Sequence, residues 1–213
     1  MGNTVGSMNA PFCNFFDSSK KSYILGLWCA DGYHRTSSVG ISTINLRIVN
    51  SFYNFFSTLF SKDRIKLKLY YPLVSSTEGE SEWLEKVGKI FRNFSSKATA
   101  LAHHLYVDSR PLLRSFRQAR SMLEDMNNKE IIAAYFAGRF DGDGSLSSDG
   151  VSDCRIVYTT FEEAKLDKKL LEKLSILYSN IYLYKKAKTF CLYIYKSNAP
   201  NFISRIKKYS TKL

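Results

Sequence analysis

Acidic residues are in short supply: 19 Asp and Glu stand against 31 Lys and Arg, a formal net charge of +12 over 213 residues. A surplus of that size on a small domain favours a polyanionic partner, nucleic acid ahead of an acidic membrane surface. Long apolar runs are missing as well, and none approaches the ~20 residues that cross a bilayer. Cysteine is limited to Cys13, Cys29, Cys154 and Cys191, far apart and without CxxC spacing. That argues for a reducing compartment, with thiols used as small apolar groups, and against structural zinc. Histidine is rarer still. His103-His104 is the one adjacent pair, and strand alternation sends the two rings to opposite faces, a poor geometry for a shared metal. No GxxxxGK[ST] loop occurs, which removes the common NTPases. The opening residues lack the basic-then-apolar order of a secretory signal, and Gly6 stands where a myristoylation signal needs Ser or Thr. The expected compartment is the cytoplasm, with an organelle matrix as the alternative. Hydrophobic residues, by contrast, make up 45% of the chain, enough for a folded core.

What the sequence does contain is an internal repeat. Tyr23-Ile-Leu-Gly-Leu-Trp-Cys-Ala-Asp-Gly32 and Tyr135-Phe-Ala-Gly-Arg-Phe-Asp-Gly-Asp-Gly144 align at one offset, with Gly26 on Gly138, Asp31 on Asp143 and Gly32 on Gly144. After Gly32 come strand-like stretches at Tyr33–Ser37 and Val39–Ile44, a helical run from Leu46 to Phe60, and the strictly alternating Arg64–Tyr71. A strand near Leu101–Asp108 and a helix opened by Pro111 complete the half. After Gly144 the order recurs: strands near Ser145–Ser148 and Cys154–Thr160, a helix near Glu162–Tyr178, strands near Ile181–Ala187 and Thr189–Lys196, and a short helix after Pro200. The predicted class is α+β, with two pseudo-symmetric αββαββα halves over residues 1–126 and 127–213. The first half is longer by a segment at about 74–97, in which Trp83, Val87 and Phe91 fall at helical spacing and predict an inserted amphipathic helix.

The motifs admit a structural reading. Gly26 and Ala30, like Gly138 and Gly142, form a small-xxx-small edge that lets helix backbones approach closely, and Gly32 and Gly144 sit where a helix stops on a left-handed residue. The aspartates resist that reading. Each falls in the last turn of its helix, where the macrodipole is already negative, and a helix crossing there would bring two carboxylates together. A divalent cation neutralises such a pair, and carboxylate with carbonyl oxygen suits Mg²⁺ or Mn²⁺. An EF-hand around Asp141-Gly-Asp143 is excluded, because Leu146 and Ser152 stand where Gly and Glu are required.

Ile24–Gly32 (ILGLWCADG) and Phe136–Gly144 (FAGRFDGDG) resemble the motif of the LAGLIDADG homing endonucleases, and the repeated strand and helix order extends the resemblance over nearly the whole chain. The resemblance implies motif helices packed at a central pseudo-twofold interface and antiparallel sheets forming a DNA-binding saddle. It implies Asp31 and Asp143 as catalytic metal ligands, with the carbonyls of Ala30 and Gly142 as further ligands and Mg²⁺ (Mn²⁺ substituting) as cofactor. The implied reaction is cleavage of double-stranded DNA at a long asymmetric site by a monomer, leaving 3′ overhangs. Cys29 stands where an acid is common, and Arg139 where leucine is usual, its side chain expected to point away from the helix interface.

On such sheets, alternation turns Ile65, Leu67 and Leu69 inward and Arg64, Lys66, Lys68 and Tyr70 toward DNA. Tyr182, Tyr184, Lys186 and Lys188 form the matching row, joined by Arg35 and Arg155. Asn45, His34 and Lys129 are candidates for tuning the attacking water. Two alternatives share the fold: a maturase that assists splicing of host intron RNA, and a DNA-binding regulator without catalysis.

Overall fold

The computed structural model describes residues 13–73, 81–96, 98–147 and 153–213. Helix α1 (Ser19–Asp31) is opened by Ser18, whose side chain accepts from the Lys21 N–H. It runs straight into β1 (Gly32–Arg35), which pairs with β2 (Ser38–Thr43). Asn45 then caps α2 (Leu46–Ser57). A 3₁₀ turn at Lys62–Arg64 leads to β3 (Lys66–Pro72), a short helix α3 (Ser81–Lys86), β4 (Lys89–Ser95), β5 (Ala102–Asp108) and α4 (Arg110–Ser121). The second half opens with α5 (Lys129–Asp143), capped by Asn128, which enters β6 (Gly144–Leu146) directly. β7 (Cys154–Tyr158), α6 (Phe161–Lys173), β8 (Ser179–Tyr184), β9 (Thr189–Ile194) and α7 (Ala199–Ile206) follow. The strands form two sheets, ordered β1-β2-β5-β3-β4 and β6-β7-β9-β8, each drawn from one half of the chain. No helix of the described residues is long and apolar enough to cross a membrane.

α1 and α5 are apolar on all sides and lie between the halves. Every residue from Ser22 to Trp28 and from Ile131 to Asp141 is buried, as expected of helices with no solvent face. They meet backbone to backbone. A β-carbon added to Gly26 would lie 2.0 Å from the Tyr135 carbonyl oxygen, and one on Gly138 would lie 2.1 Å from that of Tyr23. The Ser22 hydroxyl donates across the same seam to the Ile131 carbonyl at 2.9 Å. Aromatic side chains fill the space behind each helix: Trp28, Phe52 and Phe116 in one half, Phe136, Phe140 and Phe202 in the other.

Five expectations are corrected. The insert is not one helix. α3 buries Trp83, and Val87 just beyond it, but Gly88 then passes so close to the Lys62–Arg64 turn that a β-carbon would meet the Asp63 backbone at 2.4 Å. From there Phe91 belongs to β4, which pairs parallel with β3, so the first sheet is not wholly antiparallel. Residues 74–80 and 97 of the insert, and Ser148 of the expected Ser145–Ser148 strand, lie outside the described residues. Gly32 and Gly144 are extended, at φ −65° and −88°, not left-handed. Glycine is needed there because a β-carbon would collide with Trp28 or Phe140 as the helix turns directly into a strand. β3 begins at Lys66, leaving Arg64 in the preceding turn. β8 ends at Tyr184, so Lys186 and Lys188 occupy the hairpin turn, with Lys188 at φ 52°.

Candidate metal centre and nucleic-acid interface

The crossing of α1 and α5 decides what happens at their C-terminal ends. A β-carbon on Gly142 would stand 2.4 Å from the Ala30 β-carbon and 3.5 Å from Asp31 Oδ2. The last turns therefore abut, and Asp31 and Asp143 face one small space. Both carboxyls are held above their ordinary range, chiefly by burial. For Asp143 burial comes first and Asp31 adds to it, against opposing charges on Arg139 and Lys212, and the result is about 6. The last carbonyls of each helix, those of Ala30 and Gly142 among them, have no N–H of their own helix to accept. Two carboxylates and main-chain oxygens make a hard, oxygen-only donor set, which suits Mg²⁺ or Mn²⁺ better than zinc, whose sites favour thiolate and imidazole. Among the described residues no group of three or more His, Cys, Asp and Glu gathers for a metal, so the pair and its carbonyls are the set available.

The raised Asp143 pKa carries a stability consequence. A carboxyl whose folded pKa exceeds its unfolded value stabilises only while protonated. Its contribution is complete below the unfolded value of 3.8 and is lost as pH climbs through about 6. Metal-free Asp143→Asn should therefore be more stable than wild type at pH 7.5, by about 1–2 kcal/mol after discounting for partial exposure. The advantage should vanish near pH 4. Urea melts in EDTA at the two pH values measure it, and an equal gain at both would assign the effect to something other than ionisation.

Around this space the two flanks differ. On one, Asp141 is 3% exposed and accepts from the Tyr23 hydroxyl (2.7 Å), the Thr211 N–H (2.6 Å), the Thr211 hydroxyl (2.9 Å) and the Ser210 hydroxyl. On the other, the repeat replaces Tyr23 by Tyr135 and Asp141 by Cys29, so the motif supplies no acid. Asp167 of α6 takes that place, accepting from Tyr135 (3.0 Å) and Tyr158 (2.8 Å). Arg139 balances it. Its side chain does not reach solvent: it is 2% exposed, lies 4.5 Å from the Tyr158 ring centre, and stands 3.4 Å from Asp167 and 3.7 Å from Asp143. The Asp167 contact is an ion pair by distance but lacks hydrogen-bond geometry. The departures at Cys29 and Arg139 were visible in the motif; their partner on α6 was not.

The three candidates for tuning water are not gathered at the carboxylates. Asn45 Oδ1 accepts from the Arg47 N–H at 3.0 Å as the α2 cap. His34 turns to the helix side of β1, its ring 5.5 Å from that of Trp28. Burial, with Arg117 and Arg120 nearby, holds its pKa low. Lys129 begins α5, the helix that Asp143 ends, and 14 steps of about 1.5 Å separate them by about 21 Å.

The strand candidates are displayed on the open faces of the sheets. In β3, Leu67, Leu69 and Tyr71 are buried while Lys66, Lys68 and Tyr70 are half-exposed. Lys66 is held by Asp108 at 2.6 Å, and that contact, with the Ser38 hydroxyl, keeps the Asp108 carboxyl below its usual range. Lys68 lies 5.3 Å from the Tyr106 ring centre. Arg64 rests on Phe60 and reaches the Asp108 carbonyl at 3.2 Å. Tyr33 meets His104 edge-on, with ring centres 3.9 Å apart. Burial first, then the charges of Lys68 and Arg35, push His104 down to about 4, so it is neutral at pH 7. On the second sheet Arg155 pairs across to Tyr193, with the guanidinium 5.3 Å from the ring centre and Nε 3.3 Å from Asp153. Tyr182 and Tyr184 are exposed, and the Tyr182 hydroxyl lies 2.5 Å from that of Tyr195. Tyr193 and Tyr195 are additions to the expected row. Their alternation with buried Leu192 and Ile194 is a period-2 signal already present in the sequence.

No protein-family model matches the chain, and no match is found among curated proteins. Solved structures do match. A variant of the homing endonuclease I-DmoI in complex with its target DNA in the presence of magnesium is similar at 16% identity, over 91% of this chain and 98% of that one, with a TM-score of 0.61. I-DmoI in complex with DNA and manganese is similar at 16% identity, over 92% and 98%, with a TM-score of 0.60. The N-terminal LAGLIDADG domain of DUF199/WhiA is similar at 16% identity, over 93% and 84%, with a TM-score of 0.56. The chain has a LAGLIDADG-type fold.

Proposed function

We propose that the protein is a divalent-metal-dependent endonuclease that cuts both strands of a long, asymmetric DNA site and leaves 3′ overhangs. One observation carries this reading. The ends of α1 and α5, each carrying one aspartate from a different half, abut, and β1 and β6 leave directly from those same ends. Both open sheet faces, rich in cations and aromatics, therefore start at the acid pair. The similar structures in complex with DNA and Mg or Mn support DNA as the partner and such ions as cofactor. Mg²⁺ held by Asp31, Asp143 and the carbonyls of Ala30 and Gly142 would supply an activated water and neutralise charge at phosphorus.

The chain's own residues do the rest. Lys68, Arg35 and Arg155 meet phosphates or base edges from the sheet faces, and the tyrosines add flat contact area. One chain supplies both acids, so a monomer suffices. In sedimentation the active species should be one protein per duplex, and a two-to-one active complex would count against it. The function is tested by incubating a randomised plasmid library with protein and Mg²⁺ and sequencing the ends. A single long site with 3′ overhangs is expected; binding without cutting would reduce the protein to a DNA-binding one.

The two lysines of β3 should behave differently. Among the described residues no carboxylate pairs with Lys68 as Asp108 does with Lys66, so Lys68→Ala should flatten the dependence of log affinity on log salt by about one unit. Lys66 must leave Asp108 to reach a phosphate, and Lys66→Ala should cost less affinity than Lys68→Ala. Unchanged affinity and slope in both would show that this sheet face does not meet DNA.

A further inference from the structure

The segment after α7 is fixed against the acid pair by contacts that the nuclease reading does not use. Asp141, buried between the motif helices, fastens Ser210 and Thr211 through their hydroxyls and the Thr211 N–H. Arg47 of α2 holds the Thr211 carbonyl at 3.0 Å. The residue after this double anchor is Lys212. Its ammonium donates to the Gly144 carbonyl, one residue beyond Asp143, and stands 5.5 Å from the Phe140 ring centre. Its charge acts on both Asp31 and Asp143. Arg139 also acts on them, but it is 2% exposed and held by Asp167. Lys212 is exposed. Of the two cations that act on the acids among the described residues, Lys212 is the exposed one.

We propose that Lys212 is a further substrate-binding residue of the cleavage centre, set beside the carboxylate pair to hold the scissile phosphodiester. This rests on the endonuclease reading. An ammonium fixed there offsets repulsion between the DNA anion and the two aspartates before a metal is bound. It then meets the negative charge that grows on the phosphate oxygens as water adds to phosphorus and the 3′ oxygen leaves. No proton transfer to or from Lys212 is required. The two anchored residues before it set where its backbone lies.

The test compares Lys212→Met, Lys212→Arg and wild type, with Lys208→Met as an equal-charge control. Lys208 pairs with Glu130 at the far end of α5. Three quantities are read: salt dependence of binding to a random-sequence 30-base-pair duplex in EDTA, Mn²⁺ binding to the protein alone, and single-turnover cutting of the selected site. Lys212→Met should lose about one unit of salt slope, and Lys212→Arg and Lys208→Met should keep it. Mn²⁺ should bind Lys212→Met at least as tightly as wild type, since a cation has been removed from beside its site. Cutting should fall roughly 100-fold. An unchanged slope or unchanged cutting overturns the inference, and weakened Mn²⁺ binding overturns it too, by assigning Lys212 to supporting the acids. If wild type does not cut at all, the endonuclease reading fails, and the slope still shows whether Lys212 meets a phosphate.

Discussion

Asp31→Asn and Asp143→Asn should each reduce Mg²⁺-dependent cutting of both DNA strands to below about a hundredth of the wild-type rate, with DNA affinity kept within a few-fold. The acids sit where two helix ends meet, and the cations that face DNA sit on the sheets. Removing a carboxylate therefore takes away a metal ligand and leaves the binding surface intact. It also removes one of two like charges near a DNA anion, so the variants should bind non-specific duplex as well as wild type or slightly better. Both strands are affected because Asp31 and Asp143 face one space, within reach of each other's charge. A supercoiled plasmid carrying the site reads the outcome. Full linearisation by either variant removes that residue from catalysis, and clean nicking would mean that each acid serves one strand alone.

Gly26→Ala and Gly138→Ala should each destabilise the protein by about 3 kcal/mol or more. The new β-carbon would stand 2.0 or 2.1 Å from a carbonyl oxygen of the opposite helix. Backbone cannot rotate aside, so α1 and α5 must separate along their length. Separation would also part the aspartates, and cutting should fall with stability. Gly142→Ala is a useful contrast, because its nearest neighbour is the Ala30 side chain at 2.4 Å, at the end of the crossing where the helices can splay. Its cost should be smaller in stability and larger in activity relative to that cost. Urea denaturation of the three variants measures this, and a loss under about 1 kcal/mol for Gly26→Ala would contradict a backbone-to-backbone seam.

Much of the architecture could be read from local pattern. The repeat offset pairs Gly26 with Gly138 and Asp31 with Asp143, and small residues four apart can bury a helix edge only against another backbone. Alternation in β3 and β9 reports which side chains face the core, because that signal needs no knowledge of partners. What escaped reading depends on partners distant in sequence. The Tyr23 hydroxyl meets Thr211 across 188 positions and Asp141 across 118, and no periodicity reports such a contact. The same holds for Arg139, whose counter-ion Asp167 belongs to another helix. Gly32 and Gly144 were misassigned for a different reason: a helix C-terminal glycine usually signals a left-handed residue, and here it signals a steric limit set by Trp28 and Phe140. Trp83 and Val87 keep helical spacing into Gly88, and only the close approach of Gly88 to Asp63 shows why the helix stops and β4 begins.

On the proposed reading, Asp31 and Asp143 together form one metal site for cutting DNA. The most direct measurement is Mn²⁺ binding to DNA-free protein by electron paramagnetic resonance, for wild type, Asp31→Asn, Asp143→Asn and the double variant. Binding should be strongly weakened by either single substitution, with the double variant little worse than either single one, because the two carboxylates serve the same ions. Two independent, additive losses, or unchanged binding in the double variant, would contradict the shared site.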